Sequence, residues 1–537
     1  MSAFSPLKDR NTEYAHIQKE IQALEAAIRA LKVRHNTLSS ISRLPPELLS
    51  RIFESVARGE DNIRMKNLEP RWIGVSHVCS HWRHVALENP RLWSHIQCYP
   101  YPRWALEMLK RSKMTPITVD GDANWATYPC DIDQAVTAAL EQLPRIENLT
   151  LTARGTLRLE KYLSSLSGTA PLLHTFQIIT DIQAMLPDNI FSGPGGAPQL
   201  RCLSLDGFNF NWKLRSLTHL TVVRVPTGFR LSVNELIMNL GYMPQLESIH
   251  LSSVMVPPRD SELNASSPST HLPSIARIHL EDDLMSCLAF FTKFTYPNTA
   301  VVSIGCFCPH RLSDDVTPVR DLITVINTKN IVPITSLWVE NTYYGTFRGR
   351  DSQGISRVSV GFQDVMFQPS SISWDSLSLH HLKSLRVIGT KIRQSVWLRV
   401  FGKLKNLRTI RIIDHADNLL DVLTLGIPQD PAGAHTTVTN FPGRLNFKAL
   451  KSLSLSGTLG EHYGERPWVD MLALCFRERR RRGLTLRRLS IEGHGDGAVV
   501  VRRLGCFVKH VKWSEVFEVE ISDGEVEDYN DEDDEDE

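Results

Sequence analysis

Apolar residues recur along this 537-residue chain with two different periods. In the N-terminal part they return every three or four positions, which is the period of a helix that buries one face. From Leu149 onward they alternate with polar residues in short runs, which is the period of a strand with one buried face. The pattern therefore predicts helices first, followed by a longer part that is rich in strands.

The N-terminal segment carries one apolar seam whose steps alternate between three and four residues, interrupted by His35. Because no proline or glycine lies between Lys8 and Leu38, residues 1–40 are predicted to form one helix with heptad character. Two packings remain open for it: a coiled coil with a second copy of the chain, or packing on the chain's own following domains. The seam consists of Tyr14, Ile17, Ile21, Leu24, Ile28, Leu31 and Leu38.

Residues 41–96 predict two further amphipathic helices, joined by a polar insert at 58–71. The first begins at Pro45 and Pro46, because the first amides of a helix need no partner inside it. The second is expected from Val75 to Ala86, and Pro90 ends it. The apolar faces consist of Leu48, Leu49, Ile52, Phe53 and Val56 in the first helix and of Val75, Val78, Cys79, Trp82, Val85 and Ala86 in the second.

Three motifs occur in this region in order: Leu44-Pro45-Pro46, then the run from Val75 to Arg83, then Pro90-Arg91-Leu92-Trp93. Together they resemble the F-box of the F-box-like proteins that are abundant in fungi. The resemblance implies that the module docks on the Skp-type adaptor of a cullin-RING ubiquitin ligase, and through it on a cullin.

A module this small cannot bury both faces of its helices, so some apolar side chains are expected to contact a partner. The resemblance also implies that the rest of the chain holds a protein substrate without catalysing a reaction. By position, the adaptor-facing residues are Leu44, Pro45, Leu48, Leu49, Ile52 and Phe53, with Val78, Cys79 and Trp82 shared between core and interface.

A strand signature, Leu-x-x-Leu-x-Leu with aliphatic replacements, recurs through residues 97–522. Its second apolar positions fall first at residues 149, 176, 203, 220, 249 and 278, so most steps are 27 or 29 residues. Later copies begin at residues 382, 407, 450 and 486, and weaker strands are expected at Val301–Ile304, Leu337–Val339 and Val358–Val360. These segments resemble leucine-rich repeats, which implies stacked units with a curved parallel sheet.

The predicted fold class is therefore α/β: an N-terminal helix, a small all-α F-box, and an irregular leucine-rich-repeat solenoid. Alternation along each strand sends the residues between the aliphatic positions to the concave face. A mildly basic floor there would suit a protein with acidic or phosphorylated groups. The candidate substrate-binding residues are His250, His279, Arg386 and Arg411, and Ser204, Ser454 and Ser490 are expected on the same face.

The charge is nearly balanced, with 60 basic and 59 acidic residues, but the acidic residues concentrate at the C-terminus. Residues 523–537 contain no basic residue and are predicted to be a disordered, solvating tail. An arginine cluster precedes it, and three interpretations are open: a solvated helix end, an anion site that the tail could shield, or a nuclear-import signal. The cluster consists of Arg477, Arg479, Arg480, Arg481, Arg482, Arg487 and Arg488.

Several function classes are not expected. There is no apolar run long enough for a membrane span and no secretory signal in residues 1–19, so a cytoplasmic or nuclear location is expected. The Cys306-Phe307-Cys308-Pro309-His310 cluster offers too few ligands for a zinc site, and buried thiols are the simpler interpretation. No catalytic residue, metal site or cofactor is predicted, and nucleic-acid binding by the arginine cluster lacks interleaved aromatic residues.

The sequence thus leaves two function classes. The first is the substrate-recognition subunit of a cullin-RING ubiquitin ligase. The second is a non-catalytic interaction scaffold that organises partners without ubiquitin transfer.

Overall fold

The structure of the chain is a computed structural model. It describes residues 6–59, 71–99, 102–122, 129–153, 156–191, 196–212, 214–258, 269–307, 317–329, 332–341, 345–363, 374, 377, 379–424, 446–457, 468–493 and 497–515. The predicted acidic tail at 523–537 lies outside these residues. So does the segment at 426–443, where three prolines and three glycines predict a surface loop.

The described residues divide into two compact units, one formed by residues 1–231 and 239–254 and the other by residues 232–238 and 255–537. The helices are α1 (Pro6–Thr37), α2 (Pro46–Gly59), α3 (Ser80–Glu88), α4 (Pro102–Arg111), α5 (Pro129–Leu140), α6 (Thr156–Ser165), α7 (Val233–Gly241), α8 (Leu284–Lys293), α9 (Thr317–Lys329), α10 (Gln394–Arg399), α11 (Asp417–Thr424), α12 (Trp468–Arg481) and α13 (Gly497–Gly505).

The first unit begins with the N-terminal helices and continues into a parallel sheet. Each strand pairs with the next one along the chain, so the order in the sheet follows the sequence. The strands are β1 (His95–Gln97), β2 (Ile117–Asp122), β3 (Ile146–Ala153), β4 (Thr175–Met185), β5 (Cys202–Asn209), β6 (His219–Val223) and β7 (Ser248–Ser252).

The second unit has a larger sheet with one reversal of direction. Its strands are β9 (Arg277–Asp283), β11 (Val301–Phe307), β12 (Ser336–Asn341), β13 (Gly345–Arg350), β14 (Ser356–Gln363), β15 (Ser384–Ile388), β16 (Thr409–Ile413), β17 (Ser452–Ser456), β18 (Arg488–Gly493) and β19 (His510–Glu515). Their order in the sheet is β9-β11-β14-β13-β12-β15-β16-β17-β18-β19, and only β13 runs antiparallel to its neighbours. Strands β8 (Thr270–His271) and β10 (Phe294–Thr295) form a separate pair.

Strand residues alternate between a covered face and an open face of each sheet. On β12, Leu337 and Val339 are buried, whereas Ser336, Trp338 and Glu340 are half-buried on the other face. The same alternation holds on β15, β16 and β17, whose buried residues are Leu, Ile or Val. Burial of these aliphatic side chains drives the sheet to form, since each methylene removed from water contributes about 0.8 kcal/mol.

Strands lie at the recurrent signature segments and at the three weaker segments, so a large, mostly parallel sheet with α/β architecture is confirmed. The assignment to leucine-rich repeats stays a prediction. The reversal at β13 is a departure from the predicted parallel sheet. The reversal follows from the short connection between β12 and β13. Residues 342–344 are far fewer than the dozen or more residues that a parallel crossover needs.

The turn after β13 is also built for a reversal. Asp351 accepts hydrogen bonds from the backbone N–H groups of Gln353 and Ile355 at 2.8 and 3.1 Å. Gly354 adopts a positive φ of 78°, which glycine reaches without steric cost. The chain therefore returns into β14 directly, and the β12–β14 segment forms an antiparallel meander inside the parallel sheet.

Candidate functional site

Helix α2 divides its apolar residues between two stripes. Leu49 and Phe53 lie one turn apart and are 0% and 1% exposed, so they belong to the core. Leu48, Ile52 and Val56 lie on a neighbouring stripe and are between 41% and 44% exposed. We call these three residues the α2 stripe. It presents an apolar surface on a short helix whose other side already fills the core.

The segment after the polar insert differs from the single helix that was predicted to begin at Val75. A 3₁₀ turn spans Arg71–His77, and helix α3 starts only at Ser80. The break has a local cause: Cys79 is in an extended conformation, and its thiol accepts the backbone N–H of Trp82 at 3.5 Å, which caps the new helix. Val78, in this break, is 58% exposed.

Helix α3 joins the core through an aromatic contact. The Trp82 ring lies 5.1 Å from that of Phe53, which ties α3 to the buried stripe of α2. At the far end of α3, Asn89 donates to the Glu54 carboxylate at 3.0 Å and accepts from the backbone N–H of Arg91 at 3.2 Å. The C-terminal end of α3 is therefore held against α2 in addition to the ring contact.

A tryptophan cluster connects this helical module to the sheet of the first unit. Trp93 is 1% exposed and donates its indole N–H to the carbonyl of Ala86 at 2.8 Å. Its ring centroid lies 5.0 Å from that of Trp72 and 5.8 Å from that of Trp104 in α4, and the Arg111 guanidinium lies 4.5 Å from its ring centroid. Strand β1 then pairs with β2, so the module runs directly into the sheet.

The predicted adaptor-facing residues thus separate into three groups. Pro45, Leu48, Ile52 and Val78 are exposed, whereas Leu44, Cys79 and Trp82 are half-buried. Leu49 and Phe53 are core residues of the chain, and their place in the adaptor-facing set stays a prediction. Sequence reasoning placed Val56 on the apolar face but did not name it as a docking residue. Val56 lies four residues after Ile52, and this helical spacing could have identified it as part of the same exposed stripe.

Comparison with known families decides what this module is. The F-box-like family model matches residues 41–98. The chain contains an F-box-like domain. F-box domains in general bind Skp-type adaptors and indicate a role in ubiquitin ligase complexes, and F-box proteins are typically non-catalytic substrate receptors. No curated protein matches the chain. Among the described residues, no helix is both long and apolar enough to cross a membrane.

Beyond the F-box, the open face of the second unit brings several predicted residues into one row. Arg386 and Arg411 are directly paired on β15 and β16, in register with Ser454 and Ser490. The row across the sheet reads His279, Ser303, Ser359, Arg348, Trp338, Arg386, Arg411, Ser454, Ser490 and Lys512. Candidate residue His250 belongs to β7 of the first unit and is half-buried there.

An arginine–tryptophan cluster occupies the middle of this row. The guanidinium carbons of Arg386, Arg348 and Arg350 lie 4.3, 5.6 and 5.9 Å from the centroid of the Trp338 ring. The sequence pattern predicted Arg386 and Arg411 as binding residues, but it did not identify Trp338, Arg348 or Arg350. The antiparallel meander explains why Arg348 and Arg350 were missed, because β13 carries no strand signature of the repeat type. Trp338 lies on a predicted strand, but the pattern gave no sign of its arginine neighbours.

The other predicted clusters do not form single sites. In the C-terminal arginine cluster, Arg479 is buried, Arg480 donates to the Cys506 carbonyl, and Arg482 pairs with Glu478 at 2.8 Å. Arg479 thus has a structural role, whereas the other arginines of the cluster are exposed, and the three interpretations of the cluster stay predictions. Cys306 is buried beside Cys287, and burial, followed by the hydrogen bond with Cys306, raises the pKa of the Cys287 thiol. Residues 308–310 lie outside the described part of the chain.

Proposed function

We propose that this chain is the substrate-recognition subunit of an SCF-type cullin-RING ubiquitin ligase. In this role its F-box docks on the Skp-type adaptor, and through the adaptor on a cullin. The open face of its sheet, which we take to be a leucine-rich-repeat surface, holds the protein substrate. The observation that carries the proposal is the exposed α2 stripe within a domain matched by the F-box-like family.

The α2 stripe has the properties of a docking surface. Leu48, Ile52 and Val56 recur every four residues, so they form a continuous apolar line on one side of the helix. When a partner covers such aliphatic side chains, the apolar area that they remove from water contributes to the free energy of binding. With exposed Pro45 just before α2 and Val78 in the break before α3, the proposed surface contains five exposed apolar residues.

The connection between the F-box and the first unit's sheet supports a positioning role. The Trp93 cluster and the β1–β2 pairing join the two without an intervening linker. A receptor that holds its target at a fixed distance from the transferring subunit accelerates the reaction by proximity alone. No catalytic group on this chain is required for that effect.

A second candidate function is an interaction scaffold without ubiquitin transfer. The observation that favours it is the exposed seam of α1, whose apolar residues would suit pairing with another helix. In that case the F-box binds its adaptor weakly or serves another complex. The two functions differ in whether a cullin is recruited.

Capture of purified proteins by the immobilised full chain distinguishes the candidates. We expect wild type to retain both the Skp-type adaptor and the cullin, and the Leu48→Asp, Ile52→Asp double variant to lose both. The control is Arg51→Asp, which makes the same change of net charge at an exposed polar position of α2 and should retain both.

Adaptor binding without the cullin would favour the scaffold. Failure of wild type to bind either protein, while its circular dichroism spectrum is that of a folded chain, would contradict the receptor proposal. Equal capture by the double variant would show that the α2 stripe is not the docking surface.

A further inference from the structure

The arginine–tryptophan cluster is built by three adjacent strands. Trp338 of β12 is paired directly with Arg348 of β13 on one side and with Arg386 of β15 on the other. Arg350 lies two residues beyond Arg348 on the same face, and Arg411 is paired with Arg386 on the next strand. Neighbouring strands are about 4.8 Å apart, so these side chains project from one patch of the open face.

The indole orients the cationic groups. Arg386 lies closest to Trp338, at 4.3 Å, and this contact restricts the rotamers of a side chain that would otherwise be mobile. Arg348 and Arg350 are exposed and approach the same ring from the other strand. The arrangement reduces the entropy that the arginines lose when they bind a ligand.

The charge of the cluster is incompletely balanced within the described chain. Arg348, Arg350 and Arg411 make no ion pair with any described residue. Glu340, two residues beyond Trp338, projects from the same face, and both Glu340 and Arg386 make further contacts within the protein. Counting Glu340 against the four arginines leaves an excess of positive charge at one place on the sheet.

This arrangement favours a doubly charged oxyanion over a single carboxylate. A phosphate monoester carries about −1.5 to −2 charge at neutral pH and offers three acceptor oxygens, whereas a carboxylate has charge −1 and two oxygens. Planar guanidinium groups bind such oxygens in pairs. Ser359, paired with Arg348, and Ser384, beside Arg386, add hydroxyl groups at the edge of the patch.

We infer that the arginine–tryptophan cluster binds the phosphate of a phosphorylated serine or threonine side chain on a target protein. The inference deepens the proposed function and rests on it, because it specifies which class of substrate the open face would accept. A receptor of this kind would bind its target only after a kinase has modified it.

Fluorescence anisotropy with three labelled peptide libraries tests the inference. The libraries have random flanking residues and a central phosphoserine, serine or aspartate. We expect the full chain to bind the phosphoserine library about tenfold or more tightly than either other library. The Arg348→Gln, Arg350→Gln, Arg411→Gln triple variant should lose this preference.

Two further variants separate site chemistry from net charge. Arg277→Gln, Arg487→Gln, Lys512→Gln removes the same charge from exposed positions on strands or turns far from Trp338, and it should keep the preference. Arg348→Lys, Arg350→Lys retains the charge but not the paired donors, so it should bind with intermediate affinity. If the cluster variant and the control variant lose the phosphoserine preference equally, the preference depends only on net charge, and the inference is overturned.

Other outcomes are informative in the same assay. A short single-stranded DNA that binds more tightly than the phosphoserine library, with the same dependence on the triple variant, would assign the cluster to nucleic acid and overturn the inference. Adaptor capture by wild type with no phosphoserine preference would refute the inference and leave the receptor proposal intact. Phosphoserine preference without adaptor capture would support the inference about the ligand and contradict the receptor proposal.

A second inference comes from α1. Its seam residues Tyr14, Ile17, Ile21, Leu24, Ile28 and Leu31 are 43% to 66% exposed, and Leu38, just past the helix end, is 75% exposed. In the described part of the chain, nothing covers this seam. At about 1.5 Å per residue, the seam from Tyr14 to Leu31 runs for about 26 Å along the helix.

The seam matches itself in the antiparallel direction. Ile21 then faces Leu31 of the second copy, and Leu24 faces Ile28. In the same register, Glu20 lies across from Arg34 of the second copy, and this attraction occurs twice, whereas Glu25 lies across from Glu25 of the second copy once. In a parallel pair Glu20 would instead face Glu25 of the second copy, so two like-charge contacts would oppose association.

The geometry points to antiparallel pairing of α1 with α1 of a second copy of this chain. Sedimentation equilibrium of the full chain should therefore yield a dimer. Ile21→Asp, Leu24→Asp should yield a monomer. The matched control is Gln22→Asp, Ala26→Asp, which makes the same charge change at exposed positions off the seam and should leave the dimer intact.

Cysteine cross-linking gives the direction of pairing. A mixture of the Ile21→Cys and Leu31→Cys chains should form a mixed disulfide through these positions, because they face each other. Leu31→Cys alone should not cross-link there, because its two copies would lie about 15 Å apart along the helices. A monomeric wild type, or cross-linking of Leu31→Cys with itself, would overturn the inference.

Discussion

At the residue scale, Arg479 shows how a charged side chain can serve as a structural link. It is 2% exposed and donates to the backbone carbonyls of Asn446 and Phe447 at 2.9 and 2.6 Å. Burial lowers the pKa of its guanidinium, but its donors hold helix α12 against the turn that leads into β17. The sequence placed Arg479 in a basic cluster, and composition alone could not reveal that it points inward.

Replacing Arg479 with lysine should destabilise the second unit. Lysine cannot reproduce the forked geometry that reaches both carbonyls, and an unsatisfied buried carbonyl costs about 1–3 kcal/mol. We expect the melting temperature to fall by several degrees for Arg479→Lys, as measured by differential scanning calorimetry. Arg481→Lys is the control. Because Arg481 is 56% exposed, this variant should have the melting temperature of wild type. Equal melting temperatures for all three proteins would refute this role.

At the scale of elements, α2 separates stability from docking. Phe53 fills the core beside Trp82, so Phe53→Ala should lower the free energy of unfolding of the first unit by about 3–5 kcal/mol. Ile52 is 41% exposed, so Ile52→Ala should change it by less than about 0.5 kcal/mol while weakening adaptor binding. Urea unfolding followed by circular dichroism checks both values, and similar effects of the two substitutions would contradict the division into two stripes.

Periodicity predicted the α2 helix and its apolar side but not this division. The buried pair and the exposed α2 stripe lie next to each other on the helix surface, and a pattern of apolar residues does not tell which of two adjacent stripes meets the core. The second predicted helix failed for a different reason. Its apolar spacing continues through Val75 and Val78, yet the Cys79 side chain caps a new helix and interrupts the backbone.

At the scale of the whole molecule, the strand signatures predicted most of the parallel sheet because alternating aliphatic residues require a covered face. They could not predict the reversal at β13, since Gly345–Arg350 carries glycine and arginine in place of the repeated leucines. That reversal is what brings Arg348 and Arg350 beside Trp338. The proposed phosphate site therefore depends on the irregular part of the sheet, which a repeat pattern does not contain.

The dissociation constant between the full chain and its host's purified Skp-type adaptor, measured by isothermal titration calorimetry, shows whether the F-box docks through the α2 stripe. We expect saturable one-to-one binding that weakens about 30-fold or more in Leu48→Asp, Ile52→Asp and is unchanged in Arg51→Asp. Binding of equal strength in the wild type and the double variant, or no binding by a folded wild type, would contradict docking through this stripe.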